Sequence, residues 1–173
     1  MRLIREGAFL SEIIYQADLV LHAADRINNY ISDLQDDTKN SPDDIIIWSS
    51  IQSILSSSSN ISKILWPKDK FTERGEYLRS LLNINNDCNL RNKYFRNKFE
   101  HYDEVLDKYF NKNNISHYTD LAMNPNMSGI GTSCHRGYNT TDHTLVLHGK
   151  ILDLKEIVET VRQIKLKCKS LFL

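Results

Sequence analysis

From Ala8 to Leu34 the chain sets Phe9, Leu10, Ile13, Ile14, Ala17, Val20, Ala24, Ile27, Ile31 and Leu34 at helical spacing, with no proline or glycine to interrupt them. Such a stripe belongs to a long amphipathic helix, and its apolar face must be covered by other helices. The polar stretch 36–41 ends it. Ser41, Pro42, Asp43 and Asp44 then supply a cap, a first-turn proline and first-turn acids, which favour a new helix start.

The second helix carries Ile45 to Trp48, Ile51, Ile54, Leu55, Ile61, Ile64 and Leu65, and Pro67 stops it. The run Ser56–Ser59 reads either as a break or as a small-residue strip where another helix approaches; a continuous helix with room to bend is favoured. A shorter third helix spans Thr72 to Leu82, with Tyr77, Leu78, Leu81 and Leu82 inward. A loop at 83–87 leads to a fourth, Cys88 to Phe110, with Leu90, Tyr94, Phe95, Phe99, Tyr102, Val105, Leu106, Tyr109 and Phe110 on a broad apolar and aromatic stripe. Aromatic residues at this spacing are read as core rather than as base-stacking surfaces.

Residues 111–133 lack periodicity and read as a surface loop. Short strands are expected at His135–Tyr138 and Thr144–Leu147, with turns at 139–142 and 148–150. Asp153 and Glu156 have the spacing of a capping box for a last helix, whose end carries Lys165, Lys167 and Lys169. The expected fold is therefore an all-α bundle of four to five helices with a small β-hairpin inserted before the last one. One domain over 1–173 is expected: a main bundle at 8–110, a loop and hairpin at 111–152, and a terminal helix at 153–171.

With 173 residues the chain can bury one substantial core. Its net charge of zero argues against a protein that coats nucleic acid nonspecifically. The average hides an asymmetry. Residues 1–60 hold four Lys/Arg and nine Asp/Glu, whereas 61–98 hold nine and four, so an acidic first part stands beside a basic middle. That suits a local anionic ligand or complementary packing between protomers. Cys88, Cys134 and Cys168 are dispersed and odd in number, which favours reduced thiols. With no apolar signal core and no apolar run of spanning length, a cytoplasmic protein without membrane association is expected.

Chemistry is most concentrated on the fourth helix. At 100° per residue, Arg96, Asn97, Glu100, His101 and Glu104 fall within an arc of roughly 140°, opposite the aromatic stripe. Arg91, Lys93 and Lys98 add positive charge nearby and are the expected RNA contacts. An imidazole titrates near neutrality and can move a proton. A guanidinium can stabilise charge developing on phosphoryl oxygens. RNA brings its own nucleophile, the 2′-hydroxyl, so cleavage needs no metal and no cofactor. The bland reading of the same residues is a solvated i,i+4 charge ladder.

Arg96-Asn97-Lys98-Phe99-Glu100-His101 resembles the signature of the HEPN family, an Arg followed by a polar residue and, four to six positions on, a His. The resemblance implies a ribonuclease site assembled across a two-fold axis from Arg96 and His101 of both protomers, with Asn97 beside them and Glu100 and Glu104 in support. It also implies RNA as substrate, a homodimer, and an antitoxin or antiviral-defence partner. A non-catalytic RNA- or nucleotide-binding module, or a protein-interaction subunit, is the alternative. The looser spacing recurs at Arg136 and His143 in the predicted hairpin, where it carries no weight. Cys134, His135, His143 and His148 lack paired metal-ligand spacing and read as ordinary hairpin residues.

Overall fold

The structure, a computed structural model, describes residues 2–36, 38, 43–112 and 118–172. It divides into two compact units, Met1–Asn92 with Ile157–Leu173, and Lys93–Glu156.

In the first unit, α1 (Arg2–Leu34) and α2 (Ile45–Leu65) run antiparallel along one another. Their pairing can be followed residue by residue: Gln16 accepts from Asn60 at 3.3 Å, Arg26 donates to Ser49 at 2.8 Å, and Tyr30 donates to Asp44. Between them Leu10, Ile13, Ala17, Val20 and Ile27 of α1 meet Ile47, Ile51, Ile54, Ile61 and Leu65 of α2 in a dry core. Burying each such side chain contributes roughly 1.5–3 kcal/mol, so this seam dominates the unit. Ser57, Ser58, Ser59 and Ser62 are buried within a continuous α2 and form the small-residue strip. The expected caps Ser41 and Pro42 lie outside the described residues; Asp43 instead bonds the backbone N–H of Ile45 at 2.9 Å.

The inward face of α1 drifts from the expected stripe. Ala23 and Tyr30 are buried where Ala24 and Ile31 were expected, and Leu34 is exposed. Of the set expected inward on the third helix, Leu78 on α3 (Thr72–Leu81) and Leu82 just after it are buried, whereas Tyr77 and Leu81 are exposed. Gly75 sits so near the end of α2 that a Cβ there would lie 2.4 Å from Pro67 Cδ. The part of the last helix that belongs to this unit contributes Val161, Ile164 and Cys168 to the core and is tied by Asn89 to Thr160 at 3.0 Å.

The second unit overturns the expected all-α class. Among the described residues the chain forms six α-helices and a four-stranded mixed sheet. The strands β1 (Ala122–Met123), β2 (Arg136–Asn139), β3 (Thr144–Leu147) and β4 (Lys150–Asp153) stand in that order. β1 pairs parallel with β2, and the other pairs are antiparallel. The expected hairpin is β2–β3; the sequence reading missed its two flanking strands. β4 follows a two-residue turn in which His148 and Gly149 both have positive φ, 49° and 76°, the geometry that matches strand twist in tight hairpins. β1 is too short to leave an alternation pattern. Tyr138, Leu145, Val146 and Leu147 are fully buried. Asp153 ends β4 and bonds the Glu156 N–H at 3.0 Å, starting α6 (Leu154–Lys169).

The expected single helix over 88–110 is also corrected. Asn89–Arg91 is a 3-10 turn, Asn92 is extended, and only then do α4 (Tyr94–Glu100) and α5 (Tyr102–Lys112) follow. His101 separates them with φ −102° and ψ 44°. Phe110, expected on the buried stripe, is exposed.

Candidate active site at a helix break

Hydrogen bonds persist on both sides of the break: His101 N–H donates to Asn97 O at 3.0 Å and Val105 N–H to His101 O at 3.3 Å. No proline or glycine lies there to cause it. The cause is tertiary. Tyr102, next after His101, is drawn by its phenol onto Asp120, whereas Phe99 of α4 meets the same network only through its ring, 5.7 Å from the Arg136 guanidinium.

At the predicted constellation, Arg96 is largely covered, with 19% of its side chain exposed. Its Nη1 donates to Asn97 Oδ1 at 3.0 Å. Its Nε stands 2.8 Å from Glu100 Oε2, off the hydrogen-bond axis, so the contact is an ion pair rather than an aligned bond. His101 is 62% exposed and turns its Nδ1 toward Glu104 Oε1 at 3.6 Å. Glu104 also meets Lys108 Nζ at 3.3 Å. The structure thus gives Arg96 and His101 different carboxylate partners. Exposed pairs of this kind contribute about 0–1 kcal/mol each, so Glu104 leaves the His101 side chain accessible rather than locked.

Of the expected RNA contacts, Lys98 lies in the same unit and half-buried, close enough to His148 to disfavour its protonation. Lys93 is the residue before α4. Arg91 belongs to the first unit, exposed on the 3-10 turn, and donates to Asn86 O at 3.2 Å.

Behind His101 lies a cluster that sequence reasoning did not single out. Asp120 accepts from Arg136 Nε at 2.9 Å and from Nη2 at 2.6 Å, a two-pronged pair with both side chains mostly buried. Tyr102 OH donates to Asp120 Oδ2 at 2.8 Å and stands 2.8 Å from Tyr118 OH. The Arg136 guanidinium lies 3.9 Å from the Tyr102 ring centroid. Burial drives the Asp120 pKa up, but its bonds from Arg136 and Tyr102 outweigh that, and the carboxyl ends below its ordinary value. Burial first, then Tyr118 and Asp120, push the Tyr102 phenol far up, so it stays protonated and donates.

Two histidines pack against this network. The His135 ring meets Tyr109 edge to face at 4.0 Å and His148 at 5.0 Å. Burial depresses both, and His148 falls to about 4, helped by His135 and Lys98. His135 Nδ1 and His148 Nε2 are buried without a hydrogen-bond partner. Cys134 donates instead to Gly131 O at 3.6 Å, and His143 pairs with Tyr138 at 3.0 Å. Among the described residues no group of three or more His, Cys, Asp or Glu is placed to hold a metal ion, and no helix is long and apolar enough to cross a membrane.

The histidine-rich hairpin was visible in the sequence, but Asp120 lay in a stretch without periodicity, and nothing local ties it to Arg136. Compared with known proteins, the chain matches no family model, no curated protein and no solved structure.

Proposed function

We propose that this protein cleaves RNA without a metal, through His101 and Arg96, as a homodimer in a toxin–antitoxin or antiviral-defence setting. The dimer and the setting are what the resemblance of Arg96–His101 to the HEPN signature implies; the chemistry rests on one observation, an exposed imidazole that leans on a carboxylate, Glu104, at a helix break five residues beyond a covered guanidinium. With Nδ1 facing Glu104, His101 Nε2 is the nitrogen left to accept a proton from a substrate 2′-hydroxyl. The 2′-oxygen then attacks phosphorus, the P–O5′ bond breaks, and the products are a 2′,3′-cyclic phosphate and a 5′-hydroxyl. The leaving O5′ also needs a proton, and in an in-line displacement it departs on the side of phosphorus opposite the 2′-oxygen, away from the imidazole that took the first proton. A second His101 across a two-fold axis supplies it in this reading.

Arg96 suits the negative charge that develops on the phosphoryl oxygens. Its Nε and one Nη1 hydrogen face Glu100 and Asn97, and a guanidinium has three further N–H donors to offer. Lys98 and Lys93 are the proposed phosphate contacts along the strand.

Arg96→Ala and His101→Ala should each lower RNA cleavage in EDTA by at least about a hundredfold, with the far-ultraviolet circular dichroism unchanged. Undiminished cleavage in both variants removes the proposal. RNA retained on a filter but left intact by the wild type replaces it with a binding module.

A further inference from the structure

The first unit carries a cavity of about 510 Å³ where the first turns of α1 face the 3-10 turn Asp69–Phe71 and α3. Three cations reach it, Arg5, Lys70 and Arg74, together with three aromatic rings, Phe9, Phe71 and Tyr77. The volume is that of a small-molecule site, which typically spans roughly 300–1,000 Å³.

Arg74 is the centre of the arrangement. Its guanidinium lies 4.6 Å from the Phe9 centroid and 5.4 Å from that of Phe71. Arg5 stands over the same Phe9 ring at 6.0 Å, and Lys70 over Phe71 at 5.0 Å. Burial, with the charge of Arg5 added to it, makes it harder for Arg74 to keep its proton. Arg74 Nε is buried without an acceptor, and its Nη2 reaches the Lys63 and Ile64 carbonyls only at 3.5 Å. A charged donor left unsatisfied beside a second guanidinium is costly. A bound anion would offset the repulsion between the two guanidiniums. Glu6 and Glu73 also line the cavity, so three positive charges face two negative ones, a balance that suits one phosphate group inside the cavity.

The rings specify the rest of the ligand. Phe71 is 43% and Tyr77 37% exposed, leaving flat apolar surface at the edge of a cationic cavity. We infer that this cavity binds a nucleoside phosphate, its phosphate on Arg5 and Arg74 and its base against Phe71 and Tyr77. The ligand is either a free nucleotide or the phosphorylated end of an RNA. The inference is independent of the cleavage reading, because it uses none of the residues near His101.

Isothermal titration of the whole chain tests it, with adenosine monophosphate, a 5′-phosphorylated hexaribonucleotide, adenosine and inorganic phosphate as probes. The nucleotide or the hexamer should bind at least tenfold more tightly than phosphate or adenosine, and whichever binds better identifies the source. Arg5→Gln, an exposed change, and Phe71→Ala should each weaken that binding by about tenfold or more, consistent with loss of a charge contact or a stacked ring. His101→Ala should bind as the wild type does, so loss of cleavage leaves this site standing. Absence of heat for both nucleotide probes up to about 1 mM, a concentration that would reveal even weak sites, overturns the inference. So does binding that both Arg5→Gln and Phe71→Ala leave unchanged. Phosphate binding as tight as the nucleotide's overturns the assignment of the base.

Discussion

Removing Asp120 should loosen the sheet of the second unit far more than its partly exposed position suggests. Asp120 and Arg136 side chains are 15% and 19% exposed, and the carboxylate takes two guanidinium bonds and two phenol bonds. Taking one partner from a buried ion pair costs about 3–5 kcal/mol, because the other charge stays buried and unpaired. Two features hold the cost of Asp120→Ala at the low end. Arg136 keeps its stack on Tyr102 at 3.9 Å, and Tyr102 and Tyr118 keep each other at 2.8 Å. A loss of about 3 kcal/mol is therefore expected. Amide hydrogen exchange reads this locally: about 3 kcal/mol is roughly a hundredfold loss of protection for the β2 and β3 amides. Arg136→Ala should cost a similar amount, and the double variant scarcely more than either, since the pair is lost only once. Protection that falls less than fivefold in Asp120→Ala, or losses that add in the double variant, would refute the reasoning.

Acid should weaken the same unit before it titrates ordinary carboxylates. His148 is held at about 4 in the fold and His135 is also depressed, so between about pH 6.5, the ordinary histidine value, and pH 4 the unfolded chain binds protons that the native one refuses. Stability is full above that window and falls through it as pH drops, a slope that urea midpoints at pH 7.5 and 5 would show and that His148→Asn should flatten. Asp120 acts in the same direction lower down: its contribution is present above the unfolded carboxyl pKa of about 4 and lost as pH falls through its depressed folded value. Gly75→Ala should lower stability by about 2–3 kcal/mol in thermal unfolding, because its Cβ would meet Pro67 Cδ at 2.4 Å and Leu65 O at 2.7 Å. Gly7→Ala, with nothing within 4 Å, should raise it by about 0.5–1 kcal/mol.

Where local chemistry decides the structure, the sequence was readable. The apolar period of residues 8–34 and 45–65 marks α1 and α2, and the turn-prone stretch 139–142 between two short runs marks β2 and β3. It misled where a local pattern met a competing one. Helical spacing carries back from Tyr94 through Leu90, yet Asn89 bonds Thr160 and Asn92 turns extended. Asparagines compete for backbone geometry in this way and favour turns over helix interiors. The 140° arc suffered from the same assumption. The arc supposes an unbroken helix, whereas His101 interrupts it; the pairs Arg96–Glu100 and His101–Glu104 still keep the i,i+4 and i,i+3 spacing of a helix.

The break itself follows from contacts between residues far apart in sequence. Phe95 is buried and fixes α4, while Tyr102 is bonded to Asp120 and fixes α5. His101, between two anchored helices, takes the conformation that joins them. Asp120 is brought beside Arg136 by the parallel pairing of Ala122 with Gly137, reinforced by the bond from His135 N–H to Thr119 O at 2.9 Å. That pairing in turn requires glycine: a Cβ at Gly137 would lie 2.7 Å from both Cys134 Sγ and Pro125 Cγ. The placement of Asp120 beside Arg136, and so the anchor of Tyr102, thus depends on the side chain that residue 137 lacks. Helical periodicity carries no trace of such a dependence, because each step joins residues that no repeat relates.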